Sequence, residues 1–243
     1  MVGMIFAAGL GTRLKPLTDT MPKALVPLAG KPLLQWQVEK LRDAGITDII
    51  VNVHHFPDQI IDTIRANNGW GCTIVISDER DELLDTGGGL RKALSSVTGN
   101  PSPILACNVD ILSNIDLRAL IAEYNHQSPI TNHQSLLVVS DRQTQRYLCF
   151  DEQDHLCGWT NIKTGEVKGR DGRHLAFSGM QILSPDVLAR LDEMPEGKFS
   201  LIDFYLNVLN EVPLHAYVPE NYKMMDVGKI DQIEEAEAFA ESL

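Results

Sequence analysis

Ala7-Ala8-Gly9-Leu10-Gly11-Thr12-Arg13-Leu14-Lys15-Pro16-Leu17-Thr18, continuing through Met21-Pro22-Lys23-Ala24-Leu25-Val26-Pro27, decides how this chain reads. The apolar run Val2 to Ala8 predicts a short buried strand that opens directly onto this stretch. Glycines at 9 and 11 remove side chains, so backbone N–H groups can approach an anion, and Arg13, Lys15 and Lys23 follow as cations. Before Glu39 the only acidic residue is Asp19, against Arg13, Lys15, Lys23 and Lys31, although the chain of 243 residues carries a formal charge of -12. A basic opening in an acidic protein concentrates positive charge where a small polyanion such as a nucleotide is held. The segment matches neither G-x-x-x-x-G-K-[ST] nor G-x-G-x-x-G, since residue 14 is Leu, so neither the P-loop nor the dinucleotide fingerprint applies.

Outward from this loop, strand-like and helix-like segments alternate, the pattern of a mostly parallel sheet covered by helices. Strands are expected at Val2 to Ala8, Asp48 to Val53, Thr73 to Ser77, Ile104 to Asn108 and Ser135 to Ser140. Helices are expected at Pro32 to Ala44, with Pro at its start and Gly45 past its end, at Pro57 to Asn67, at Leu90 to Ser96 and over roughly Asp116 to Gln127. Beyond residue 140, Tyr147 to Asp151 and His155 to Trp159 read as a hairpin about Glu152-Gln153-Asp154, which sets Cys149 opposite Cys157. Asn161 to Arg173 reads as a polar, Gly-rich excursion suited to a substrate lid. A strand at His174 to Leu183, helices from Pro185 and over Ser200 to Asn210, a strand at Leu214 to Val218 and an amphipathic helix at Ile230 to Ala240 complete the chain.

Composition narrows the class further. The length suits one large α/β domain with a full core. No apolar stretch approaches the ~20 residues that span a bilayer, and Met1 to Ala8 lacks the features of a signal peptide, so a cytoplasmic address and no membrane partner are expected. The negative net charge argues against nucleic acid as a partner. Cysteines at 72, 107, 149 and 157 form no C-x-x-C and have no His at metal-site spacing, which predicts reduced, structural thiols. His54-His55 is read as structural, because adjacent strand residues point to opposite faces.

The pattern G-L-G-T-R-L-x-P-L-T-x-x-x-P-K-A-L-V-P, from Gly9 to Pro27, resembles the N-terminal motif of the sugar-1-phosphate nucleotidyltransferases. Asp85-Thr86-Gly87-Gly88-Gly89, Asp110 after an apolar strand, Phe177-Ser178-Gly179 and Met225-Asp226-Val227-Gly228 extend the likeness over nearly the whole chain. Within the family, order and size look most similar to N-acetylmuramate-1-phosphate uridylyltransferases, with short mannose-1-phosphate guanylyltransferases close behind.

The resemblance implies a Rossmann-like mixed, mostly parallel sheet flanked by helices. It also implies a nucleotide-binding half over 1–140 and a sugar-binding half over 141–243 within one domain. The implied partners are a nucleoside triphosphate and a sugar 1-phosphate, Mg²⁺ is the implied cofactor, and a homo-oligomer is compatible with both. Arg13 and Lys23 take the catalytic positions, on the β- and γ-phosphates and on the α-phosphate or sugar phosphate. Ala8, Gly9, Gly11, Thr12, Gly87, Gly88 and Asn108 take the nucleotide-binding positions, and Ser178 and Gly179 the sugar-binding ones.

Asp110 stands at the C-terminal end of a buried strand, where open α/β sheets place their ligands, and a carboxylate there is a natural Mg²⁺ ligand. A turn or N-cap role is its structural alternative. The resemblance pairs Asp226 with it; spacing alone does not. Gly87, Gly88 and Gly89 open a helix and either let a flat base lie against backbone or serve only as a turn. Ser178-Gly179 either borders the sugar or is an edge-strand glycine beside a core Phe.

Three departures from the family pattern bear on the sugar: Val109 stands where many relatives have Gly, Met225 where many have an aromatic, and no Glu-Lys-Pro turn is present. No hexapeptide repeat is present, so no acyltransferase activity is expected. Three readings share the chemistry, namely UTP with an amino-sugar or muramate-type 1-phosphate, GTP with mannose 1-phosphate, and CTP with phosphocholine. A silent regulatory subunit that binds nucleotide sugar is the rival from another class.

Overall fold

A computed structural model describes residues 1–96, 102–126 and 134–243. In chain order the elements are β1 (Val2–Phe6), β2 (Pro27–Leu28), β3 (Lys31–Pro32), α1 (Leu33–Asp43), β4 (Asp48–Val53), α2 (Pro57–Ala66), β5 (Thr73–Asp78) and α3 (Asp85–Ser95). There follow β6 (Ile104–Asn108), β7 (Ile111–Ser113), α4 (Leu117–His126), β8 (Ser135–Ser140), β9 (Arg146–Phe150), β10 (Leu156–Asn161), β11 (Glu166–Gly169) and β12 (Arg173–Leu183). The chain closes with α5 (Pro185–Leu188), α6 (Leu201–Val208), β13 (Leu214–Tyr217), β14 (Met224–Asp226) and α7 (Ile233–Glu241). Gln127, the expected end of the fourth helix, lies outside the described residues.

The main sheet runs β11-β10-β9-β12-β6-β1-β4-β5, with β8 beside β12 and β13 beside β8. β6, β1, β4 and β5 are parallel, and β12 joins β6 antiparallel, so the expected mixed sheet with a parallel centre is present. Alternate residues of β1 serve opposite faces: Ile5 enters one core cluster with α1, α2, α4 and α7, while Met4 and Phe6 enter another with α3 and α6. A strand buried on both sides reads as a continuous apolar run, as Val2 to Phe6 does. Chain order reverses between β1 and β6, because β1 continues through α1 to β4 on one side while β6 lies on the other. Such a switch point leaves a crevice at the carboxyl ends of the two strands.

Several expectations need correction. The strand predicted to Ala8 stops at Phe6, which leaves Ala7 and Ala8 in the loop. The helix predicted from Leu90 begins at Asp85, so the three glycines lie within its first turns. Asn161 to Arg173 is no lid over the crevice: Glu166–Gly169 pairs antiparallel with β10 as the outermost strand of the sheet, at the end away from β1. Cys149 faces Gly158, not Cys157, because a bulge between Leu156 and Gly158 inserts one residue into β10. β14 was not anticipated; it pairs with β7 in a two-stranded sheet of its own.

Candidate active site

The crevice is a cleft of about 440 Å³ at the switch point. Its floor is the loop after β1, which supplies Ala8, Gly9, Gly11, Thr12 and Arg13; its far wall is the end of β6, which supplies Asn108, Val109 and Asp110. Gly11 adopts φ +64, and a Cβ there would stand 2.8 Å from Thr18 Cγ2. The Thr18 hydroxyl donates to the Gly11 carbonyl at 2.8 Å, and the Leu14 N–H donates to the same oxygen at 2.8 Å. A left-handed residue packed this tightly has to be glycine, and the turn it makes directs Arg13 toward Asp226.

Lys23 follows from a 3₁₀ turn at Lys23–Leu25 and is buried. Its ammonium donates to Asp110 Oδ2 across a sequence separation of 87 residues. Arg13 Nη2 lies 3.8 Å from Asp226 Oδ2, with about half of each side chain exposed. Gly228 makes this second pair possible, since a Cβ on it would lie 2.7 Å from Asp226 Oδ1 and 2.8 Å from Arg13 Nη2. The two pairs adjoin: β14 sets Asp226 opposite Ile111 and the Val227 N–H donates to the Asp110 carbonyl at 2.9 Å. Desolvation by burial, followed by the negative charge of Asp110, raises the Asp226 carboxyl above its ordinary value, while Lys23, Arg13 and Arg142 pull it down.

Gly87 and Gly88 do not line the cleft. A Cβ on Gly87 would stand 2.4 Å from the Phe199 ring, and one on Gly88 would stand 2.6 Å from the Gly197 carbonyl oxygen. Their N–H groups, the orphan donors of a helix N-terminus, both donate to the Phe199 carbonyl, at 3.0 and 3.2 Å. The residues of α3 that face the cleft are instead Asp85 and Thr86, at its very start. Ser178 is buried and lies outside the cleft lining. Gly179, with φ +68, sits where β12 leaves register with β8, and a Cβ on it would stand 2.7 Å from the Asn108 amide nitrogen. His54 Nδ1 lies 2.7 Å from the Glu79 carbonyl and His55 Nε2 3.3 Å from the Thr18 carbonyl, which fits their structural reading.

Sequence reasoning missed Asn52, Glu79 and Lys198. Asn52 Oδ1 accepts from the Ala7 N–H at 2.7 Å while its amide donates to Glu79 Oε1 at 2.7 Å, and Glu79 Oε2 accepts from the Leu84 N–H at 3.1 Å. This buried chain of bonds ties the phosphate-type loop to the residues leading into α3. Burial first of all raises the Glu79 carboxyl above its usual range. A Cβ on Gly89 would meet both Glu79 and Asn52 below 3.0 Å, so that glycine makes room for the pair. Lys198 lines the cleft from the loop before α6; only its place beside Gly197 and the N-cap Ser200 marks it in sequence.

A switch-point cleft lined by a glycine-bearing loop, Arg13, Lys23 and Asp110, with Asp226 paired to Arg13 beside it, is the arrangement of an α/β enzyme that handles phosphate esters. The comparisons place it: the chain belongs to the nucleotidyl transferase family, whose profile matches residues 2–242. It is 31% identical over 244 residues to the N-acetylmuramate alpha-1-phosphate uridylyltransferase of Neisseria meningitidis serogroup B, covering 99% of this chain and 98% of that one. It is 29% identical to mannose-1-phosphate guanyltransferase 2 of Candida glabrata, over 94% of this chain and 62% of the relative. Among solved structures, HddC from Yersinia pseudotuberculosis complexed with GMP-PN is similar at a TM-score of 0.74 and 25% identity, covering 99% of this chain and 100% of that one. The protein is a sugar-1-phosphate nucleotidyltransferase. No helix among the described residues is long and apolar enough to cross a membrane.

Proposed function

We propose that this enzyme forms a UDP-sugar and pyrophosphate from UTP and N-acetylmuramate 1-phosphate. The observation that carries the nucleotidyl-transfer part is that Arg13, Lys23 and Asp110 line one cleft and Asp226 pairs with Arg13 beside it, the four coming from three distant stretches of chain. A sugar-phosphate oxygen attacks the α-phosphorus and pyrophosphate leaves, so the site has to neutralise two anions and hold them in line rather than supply a covalent nucleophile. Arg13, forked and half-exposed at the mouth, suits the β- and γ-phosphates, and Lys23, a buried point charge, suits the α-phosphate or the incoming phosphate. Backbone groups at Gly9, Gly11 and Thr12 approach the phosphates, and Asn108 with Ala8 borders the nucleoside.

Asp110 and Asp226 fit a hard divalent cation, since both offer carboxylate oxygens and adjoin through the Val227 N–H to Asp110 carbonyl bond. They would hold Mg²⁺, which when bound offsets the charge developing on the phosphate oxygens. The sugar end is read onto the part of the chain after residue 140 and the nucleotide onto residues 1–140 from the family resemblance, a reading supported by the close approach of Gly179 to Asn108. A silent nucleotide-sugar-binding subunit has no need of two carboxylates meeting two cations. The four free cysteines accord with a reducing, cytoplasmic setting.

Uridylyl specificity rests on likeness to the Neisseria enzyme over nearly the full length of both chains. The guanylyl reading is favoured by the Candida glabrata relative and by the guanine-nucleotide complex of HddC. Four nucleoside triphosphates in competition, against a panel of sugar 1-phosphates with pyrophosphate release as readout, separate the two. UTP with N-acetylmuramate 1-phosphate is expected to win. A preference for GTP rejects the uridylyl reading and spares the chemistry; no pyrophosphate from any pair favours the silent subunit.

A further inference from the structure

Away from the cleft, the β9–β10 hairpin and the start of β12 bring together a thiol, a carboxylate and an imidazole. Cys149 and His174 are direct partners in the antiparallel pairing of β9 with β12, and Asp171 lies in the turn before β12. Asp171 Oδ1 stands 2.6 Å from His174 Nε2 and 3.9 Å from Cys149 Sγ, and the three ligand atoms all lie within 4.8 Å of one another. The turn is tightly set: the Gly172 N–H donates to Asp171 Oδ1 at 3.0 Å, and a Cβ on Gly172 would stand 2.3 Å from the Phe150 carbonyl oxygen. Tyr147 stacks on the His174 ring at 5.6 Å, which holds the plane of the imidazole.

We propose that Cys149, Asp171 and His174 form a binding site for a borderline-soft divalent cation, Zn²⁺, independent of the phosphate cleft. A sulfur, a ring nitrogen and a carboxylate oxygen are the donors Zn²⁺ prefers, whereas Mg²⁺ takes oxygens alone. Tetrahedral coordination at ordinary Zn–S, Zn–N and Zn–O lengths sets donor atoms about 3.3–3.8 Å apart. The present arrangement already sets all three donor atoms within 4.8 Å of one another, with Asp171 and His174 exposed and Cys149 buried. Three protein ligands leave a fourth position to solvent, and binding transfers the Cys149 thiol proton to solvent as the thiolate meets the metal. The bound ion clips the turn before β12 to the hairpin.

Metal-free protein in excess Mg²⁺, which occupies the carboxylates of the cleft, is titrated with Co²⁺ as the optical stand-in for Zn²⁺. One equivalent with a thiolate-to-cobalt charge-transfer band, displaced by Zn²⁺, is expected. That band requires a cysteine ligand, so Asp110 and Asp226 cannot produce it. His174→Ala and Asp171→Asn, both surface changes compatible with the fold, should each weaken binding about tenfold or more. Absence of the band overturns the proposal, as does a band of unchanged affinity in both variants, which would assign it to another cysteine.

Discussion

The Val227 N–H donates to the Asp110 carbonyl oxygen at 2.9 Å, extending the pairing of β14 with β7 to the loop after β6. It brings Asp226 beside a residue more than a hundred positions earlier in the chain. Each carboxylate is then met by a cation from the opening motif, Lys23 on Asp110 and Arg13 on Asp226. The result is two carboxylates close enough for the charge of Asp110 to raise Asp226, each met by a positive group, which is an arrangement that phosphates and a metal would re-pair.

Asp110→Asn and Asp226→Asn should each lower turnover about 10²-fold or more while leaving the fold intact, because each removes a charge from the reacting centre. Pyrophosphate release at saturating Mg²⁺ measures this. Near-wild-type turnover in both variants would remove the carboxylate pair from the chemistry.

Lys23→Ala is expected to lower kcat/KM about 10²-fold, whereas Lys31→Ala stays close to wild type. Lys31 is occupied elsewhere, bonded to Glu39 at 2.6 Å and lying 4.8 Å over the Trp36 ring. Equal losses in the two variants, abolished by added salt, would mean that the motif acts only as a diffuse positive field.

Gly88→Val should destabilise the protein by about 1–3 kcal/mol and weaken UTP use, because its side chain meets the Gly197 carbonyl and Leu84 Cβ. The effect reaches the cleft through Asp85, Thr86 and Lys198, which that packing positions. Urea unfolding together with KM for UTP tests it. A lowered UTP affinity with unchanged stability would instead mean that Gly88 touches the base directly.

His215 gives the protein an acid-sensitive point. Burial, and then the nearby His155, push its imidazole down to about 4 from 6.5. A folded value below the unfolded one means that the unfolded chain binds the extra proton, so stability is full above about pH 6.5 and falls as pH drops toward 4. Urea titrations at pH 7.0 and 4.5 should show a loss of about 1–3 kcal/mol in excess of that in His215→Gln. Parallel losses in the two proteins would place the acid sensitivity elsewhere.

The parallel centre of the sheet was legible because β1, β4 and β6 are buried on both faces and therefore read as apolar runs bounded by glycine and proline. The opening loop was legible too. Tight backbone turns and phosphate-type sites both demand glycine at fixed spacing, and Gly11 meets that demand within seven residues of its partner Thr18. Local signals of this kind need no knowledge of the rest of the molecule.

Long-range pairing left no such trace. The triglycine read as a platform for a flat base, or else a turn, because sequence records the absence of a side chain but not what fills the space, and here Phe199, Gly197 and Glu79 fill it. One bulged residue in β10 displaced Cys157 from Cys149, since a single insertion shifts every later pairing in a hairpin. The amino-acid sequence by itself determined the strands of the parallel centre and the loop that opens the cleft, both written in periodicity and glycine placement over a few residues. Only the tertiary structure decided that Asp226 meets Asp110, that Asn52 and Glu79 brace the loop at Ala7, and that Cys149 meets His174. Those contacts depend on strand order and register, which are set by the packing of the whole core.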